Sequence, residues 1–151
     1  MADDDSNAST VPGGVYRLLM GIALLGSELG LSALATDMAA KLAELRPDLP
    51  HARSVLGIGR FQAGDHEGGL RILEEAAAEF PDHQMGKALL AVCMAEMGRS
   101  GWQQMFEAVI DDGRDENAVG LACAVLGRDN EAADEALQVF RVGLPANAVW
   151  A

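Results

Sequence analysis

Apolar and polar positions recur in blocks along the chain, and alternating runs typical of strands are missing. The clearest block covers residues 56–83, where a Leu-Gly pair precedes Gly64-Asp65, a leucine- and alanine-rich stretch and Pro81. Gly64 supplies a left-handed residue that ends a first helix, Asp65 can cap a second, and Pro81 cannot continue it. The block therefore predicts two helices joined by a tight turn.

This helix-turn-helix plan recurs every 34 residues. Three sets of residues keep the interval, namely Gly30, Gly64 and Gly98; Ile22, Leu56 and Leu90; and Pro47 with Pro81. It is the period of the tetratricopeptide repeat, whose helix pairs stack into a solenoid. We therefore expect an all-α, tetratricopeptide-like right-handed α-solenoid of about eight antiparallel helices. An ordinary helical bundle is the alternative.

The repeats divide the chain into a folded domain between two tails. Residues 1–13 are polar and acidic, which predicts a disordered tail. The repeat domain spans residues 14–142, and residues 143–151 form a C-terminal tail. The predicted repeats are 16–49, 50–83, 84–117 and a degenerate 118–142. The predicted helices are Gly14–Leu29, Leu31–Leu45, His51–Ala63, Asp65–Glu79, Gln84–Met97, Gly101–Asp111, Glu116–Leu126 and Asn130–Val142.

In a tetratricopeptide solenoid the first helices of successive pairs line a concave groove. Placing Pro47 and Pro81 at repeat position 32 assigns residues of these helices to that groove, and the candidates for partner binding are Arg17, Met20, Leu24, Ser54, Ile58, Phe61, Ala88 and Val92. A mainly apolar groove of this kind suits an amphipathic helix better than a charged peptide tail. The alternative for Leu24, Ile58 and Val92 is a place in the core.

Length, charge and apolar content argue against several classes of function. A chain of 151 residues suggests one domain with a sizeable core. Its net charge of −12 argues against nucleic-acid binding, which needs clustered Lys and Arg, and favours a basic partner. The apolar run in residues 15–26 is shorter than the roughly 20 residues of a membrane span, and no positively charged segment precedes it as in a signal peptide.

Candidate chemistry is sparse. His51, His66 and His83 are scattered, with no zinc-binding spacing, and no phosphate-binding or nucleophile motif occurs. The sequence therefore predicts a non-catalytic protein without cofactor or metal. Cys93 and Cys123 lie in apolar helical runs, where they are either small hydrophobic groups or, in an exported protein, a bridge between helices.

Residues 80–127 carry a more specific pattern. A K-A-L-L-A-x-C block at residues 87–93 is followed by Gly98 and Trp102. Over about residues 15–128, this chain resembles the small TPR-like proteins of bacterial type III secretion, in particular the Hrp family of plant-associated bacteria.

The resemblance implies a function. Related needle-subunit chaperones hold the subunit's amphipathic helix in the concave groove, alongside a second small co-chaperone. This implies a cytoplasmic chaperone or assembly factor that masks a self-assembling helix before export. An envelope-associated, periplasmic role is the alternative, as an oligomeric structural component of the apparatus. A general TPR adaptor is a further alternative, although it needs a basic clamp and only Arg17 lies near that pattern.

Overall fold

The computed structural model describes residues 11–128, apart from the side chains of residues 27 and 28. Within this range the chain forms seven α-helices and no β-strand, which confirms the all-α prediction. The helices are α1 (Gly13–Glu28), α2 (Ser32–Leu45), α3 (Pro50–Gln62), α4 (His66–Glu79), α5 (Gln84–Glu96), α6 (Trp102–Asp112) and α7 (Glu116–Leu126). The predicted eighth helix, Asn130–Val142, and the tail at 143–151 lie outside the described residues.

Local signals end and start these helices as the sequence predicts. Gly30, Gly64 and Gly98 follow α1, α3 and α5 and have φ angles of 81°, 98° and 64°. Only glycine adopts this left-handed region without strain, which explains its recurrence at the interval of 34. Asp65 then caps α4, because its carboxylate accepts a hydrogen bond from the amide N of Gly68 at 3.0 Å.

Two glycines bring α3 and α4 unusually close. A Cβ atom built on Gly57 would lie 2.7 Å from Cγ of Leu73. A Cβ atom built on Gly69 would lie 2.6 Å from both the carbonyl oxygen of Gly57 and the amide N of Phe61. The two backbones therefore cross in contact, and the crossing leaves no space for a side chain at either glycine.

The buried side chains form two clusters. The larger cluster contains residues of α3, α4, α5, α6 and α7, and the smaller cluster contains residues of α1, α2 and α3. Each helix packs against the next, and contacts also join α1 to α3, α3 to α5 and α5 to α7. The largest fully buried side chains are Phe106, Leu70, Leu73, Val92, Val109 and Cys93. All of them belong to α4, α5 and α6, so the core is densest in the C-terminal half of the described chain.

A buried hydroxyl fastens α1 to α3. The Oη atom of Tyr16 accepts a hydrogen bond from the amide N of Ala52 at 3.0 Å. Ala52 lies in the first turn of α3, where an amide has no partner within its own helix. The guanidinium of Arg46 lies 5.9 Å from the Tyr16 ring centroid and donates to the carbonyl oxygen of Val11 at 3.0 Å. Val11, placed by the sequence in the predicted tail, therefore contacts the folded domain.

Candidate partner-binding site

The structure separates the eight predicted groove residues by their exposure. Five are 7% exposed or less: Met20, Ser54, Phe61, Ala88 and Val92. Ile58 is partly buried, Arg17 is exposed, and Leu24 is 49% exposed. Of the eight, Arg17, Leu24 and Ile58 are therefore accessible at the surface, whereas the other five are buried.

Packing explains why these residues are covered. Phe61, Ala88 and Val92 belong to the larger core cluster, and Ile58 packs against that cluster from its surface. Met20 belongs to the smaller cluster between α1, α2 and α3. The structure thus brings four of the predicted groove residues together at α3 and α5, and it places Met20 in a different cluster.

Ser54 makes its hydrogen bond within its own helix. Its hydroxyl donates to the carbonyl oxygen of Pro50 at 3.1 Å. A Cβ atom built on Gly86 of α5 would lie 3.2 Å from the Ser54 oxygen, so α5 passes directly over this side chain. Ser54 therefore contributes to the contact between α3 and α5 and offers no hydroxyl to a ligand.

The exposed large apolar side chains of residues 11–128 lie on α1, on α2 and in the turn between them. On α1 and directly after it they recur at intervals of three and four residues: Val15, Leu18, Ile22, Leu25 and Leu29. This spacing puts them on one side of the helix. The amide N of Leu29 donates to the carbonyl oxygen of Leu25 at 3.0 Å, which continues the helical course. We call these five residues the α1 stripe.

The stripe was not predicted from the sequence, whose pattern indicated only that this apolar run forms the first helix of the repeat. A signal was present, since most positions of α1 are apolar and Arg17 and Glu28 are its only charged residues. Tyr16, Met20 and Ala23 fill its buried side, while the stripe and Leu24 occupy the others. A helix with that composition normally has neighbours all around it. Among the described residues, α2 and α3 pack against α1 and leave the stripe uncovered.

Two arginines outside the predicted groove positions are paired with carboxylates, Arg53 next to Ser54 in α3 and Arg99 after α5. Arg53 forms an ion pair with Glu79, and Arg99 pairs with Glu67 at 2.8 Å and with Glu74 at 3.6 Å. Such exposed pairs contribute little to stability, but they neutralise the guanidinium groups. A general adaptor for carboxylate tails needs unneutralised cations in its groove, so these pairs do not favour it.

The comparison with known proteins bears directly on this helical domain. Residues 9–131, which include all seven helices, match the family described as Bacterial type III secretion protein (HrpB1_HrpK). The chain belongs to this family. The resemblance to Hrp-type secretion proteins is thereby confirmed. No curated protein shows significant similarity to the chain.

His83 of this type III secretion protein occupies a confined position just before α5. Its ring meets His51 edge-on, with ring centroids 4.9 Å apart, and its Nε2 atom is buried without a hydrogen-bond partner among the described residues. Burial, and then the neighbouring His51, lower the pKa of His83, while Asp115 acts in the opposite direction. The imidazole therefore resists protonation in the folded protein.

We expect the free energy of unfolding to fall as pH is lowered through about 6.5, the ordinary pKa of histidine. The unfolded chain takes up the proton there, whereas the folded chain holds His83 neutral until the pH reaches its lowered pKa. Urea denaturation at pH values above and below 6.5 measures the decline, and a His83→Gln variant should show a shallower one. An equal pH dependence in both proteins would exclude this role for His83.

The remaining reactive groups offer little chemistry. Cys93 and Cys123 are buried thiols, and burial, reinforced by Glu96, raises the pKa of Cys93 to about 12. The thiolate is the reactive form, so Cys93 is inert near neutral pH. Residues 11–128 contain no cluster of His, Cys, Asp and Glu that could hold a metal ion. None of the helices in this range combines the length and apolar character needed to cross a bilayer.

Proposed function

We propose that this type III secretion protein is a non-catalytic chaperone or assembly factor that holds an amphipathic helix of a secretion subunit. Its family membership supports the role in secretion. The observation that carries helix binding is the accessibility of two apolar groove residues, Leu24 on α1 and Ile58 on α3. Leu24 is half exposed, and Ile58 is partly exposed over a buried floor that includes Phe61 and Val92.

The proposal includes a tetratricopeptide-like right-handed solenoid. Its support is the packing of each helix on the next, together with the additional contacts of α1 with α3, α3 with α5 and α5 with α7. In that arrangement Leu24 and Ile58, which are 34 residues apart, occupy equivalent places in successive helix pairs. Both then face the concave side, where an apolar helix can lie across them.

The partner follows from this chemistry. An amphipathic helix presents apolar residues at intervals of three and four, and an accessible apolar surface covers them better than it covers a charged tail. A self-assembling subunit needs such cover before export, so the proposal locates the protein in the bacterial cytoplasm. By analogy with the needle-subunit chaperones, the proposal also includes a second small co-chaperone. Arg17, also exposed on α1, is available to a carboxylate at the rim of the bound helix.

A charge at Leu24 tests the proposal. Each small helical subunit of the bacterium's own type III apparatus is co-expressed with the protein, and the affinity of each co-purifying subunit is measured by calorimetry. Leu24→Glu should weaken binding at least about tenfold, because the bound apolar helix would remove water from the new carboxylate without replacing its hydrogen bonds. Leu18→Glu is the matched control, since Leu18 is also an exposed leucine of α1 but belongs to the stripe.

Binding that survives Leu24→Glu unchanged would remove the groove as the docking site, and failure of every subunit to bind wild-type protein would remove the chaperone role. The exposed α1 stripe favours one alternative, a structural component associated with the envelope. That alternative gains support if Leu18→Glu blocks secretion while Leu24→Glu leaves secretion intact.

A further inference from the structure

The α1 stripe has the spacing of a helix–helix seam. Its five residues are 46% to 68% exposed and follow one another at three, four, three and four residues. This is the heptad spacing at which two helices pack along a shared apolar line. The stripe spans about 21 Å of helix at 1.5 Å per residue, which is long enough for several layers of packed side chains.

Among residues 11–128, the stripe lies at the α1 end of the packed helices. The opposite side of α1 faces α3, where Tyr16 accepts the hydrogen bond from Ala52. Gly26 of α1 lies against Ala35 of α2, so α2 covers a second side. The stripe faces neither of these contacts, and two further exposed leucines follow it in the chain, Leu31 before α2 and Leu34 in its first turn. Terminal helices of a stacked array usually carry a polar outer face, and this one carries leucines.

The charge distribution selects the occupant of this surface. The chain carries 23 acidic and 11 basic residues, so two copies repel each other over most of their surfaces. The helix that bears the stripe is the exception, since residues 13–31 contain one arginine, Arg17, and one glutamate, Glu28. Two copies can approach through this nearly uncharged surface, and a heptad stripe is complementary to itself.

The available area is compatible with a dimer. The five stripe residues offer on the order of 500 Å² of apolar surface, a large part of the roughly 800 Å² per partner of a standard interface. This area lies towards the upper end of the about 300 to 600 Å² of the largest apolar patch on a typical monomer, and such patches are often functional. A contact of the same patch on both copies closes on itself around a two-fold axis.

We propose that the α1 stripe joins two copies of this chain into a closed two-fold dimer. The proposal concerns a different side of α1 from Leu24 and does not depend on the helix-binding function. The dimer leaves Leu24 and Ile58 accessible, so each protomer keeps its own candidate site for a secretion subunit.

Analytical ultracentrifugation of the full-length chain tests the dimer. At concentrations of about 1 to 100 μM, wild-type protein should move from 15.9 kDa towards twice that mass, as expected for a micromolar Kd. A variant with Leu18→Glu and Leu25→Glu should stay at 15.9 kDa throughout, because four carboxylates would meet at one interface. Leu24→Glu is the matched control and should dimerise like the wild type.

Cross-linking gives a second, independent measurement. Both native cysteines are buried, so an introduced thiol at Ile22→Cys in the centre of the stripe should react selectively with a short bis-maleimide and give a covalent dimer. Leu24→Cys should give little. Circular dichroism verifies that all variants remain helical.

A wild-type protein that stays monomeric over the whole range would overturn the proposal, as would a dimer that persists in the Leu18→Glu, Leu25→Glu variant. A stripe variant that loses a secretion subunit instead of a second copy would assign the stripe to that partner and also overturn it. The proposal is confirmed if the Leu18→Glu, Leu25→Glu variant is monomeric but still binds the secretion subunit. Loss of subunit binding in Leu24→Glu alone bears on the proposed chaperone function and not on the dimer.

Discussion

Replacing Phe61 with alanine is expected to lower the free energy of unfolding by about 4 kcal/mol, as for other buried phenylalanines. The ring is 3% exposed, lies in the larger core cluster and contacts the imidazole of His66 at a centroid distance of 4.7 Å. Since small domains are stable by only about 5 to 15 kcal/mol, the variant loses a large part of its stability. Urea denaturation followed by circular dichroism, at one fixed protein concentration, measures the change.

Leu24→Ala is the matched control, because Leu24 was assigned to the same groove and is half exposed. Its truncation should change the free energy of unfolding by no more than about 0.5 kcal/mol. A Phe61→Ala protein that unfolds at the wild-type urea concentration but no longer binds its partner would reverse the assignment. Phe61 would then be a contact residue of the groove and not a core residue.

A single methyl group at Gly69 is expected to cost about 3 kcal/mol in the free energy of unfolding, at the upper end for overpacked sites. The Cβ of Gly69→Ala would lie 2.6 Å from two backbone atoms of α3, the carbonyl oxygen of Gly57 and the amide N of Phe61. Backbone atoms inside a helix cannot move aside as the end of a side chain can. The two helices must therefore separate, which disrupts the packing around Phe61. Urea denaturation gives the magnitude.

Gly21→Ala controls for the change in helix propensity. Gly21 lies inside α1, and a Cβ atom built there meets nothing within 4 Å. The substitution should stabilise the protein by about 0.5 to 1 kcal/mol, because alanine loses less backbone entropy than glycine on folding. Similar effects at Gly69 and Gly21 would show that α3 and α4 do not cross closely in solution.

The helix ends were accessible to sequence reasoning because each depends on a few neighbouring residues. Gly64 takes a positive φ angle where a helix must stop, and Asp65 caps the helix that follows. The predicted bounds of the seven described helices agree with the structure to within one residue at each end. Glycine conformation and side-chain capping act over one turn, so a local pattern suffices to predict them.

The candidate site was less accessible to prediction. Repeat numbering placed Leu24, Phe61 and Val92 on one concave face, but the structure exposes the first and buries the other two. Periodicity states which side of a helix a residue occupies, and it does not state how closely the adjoining helices approach. Gly57 and Gly69 allow α3 and α4 to approach closely, and the packing of α5 against these helices buries Phe61 and Val92.

The sequence by itself determined the all-α class, the turns between helices and the 34-residue recurrence, since these follow from interactions between residues close in the chain. Only the tertiary structure decided which apolar sides are covered. Phe61 is buried by residues of α4 and α5, whereas Leu18 and Leu25 remain exposed because no helix among residues 11–128 packs beyond α1. Burial depends on neighbours brought together by folding, so one apolar helical face can be buried while another, equally apolar, stays exposed.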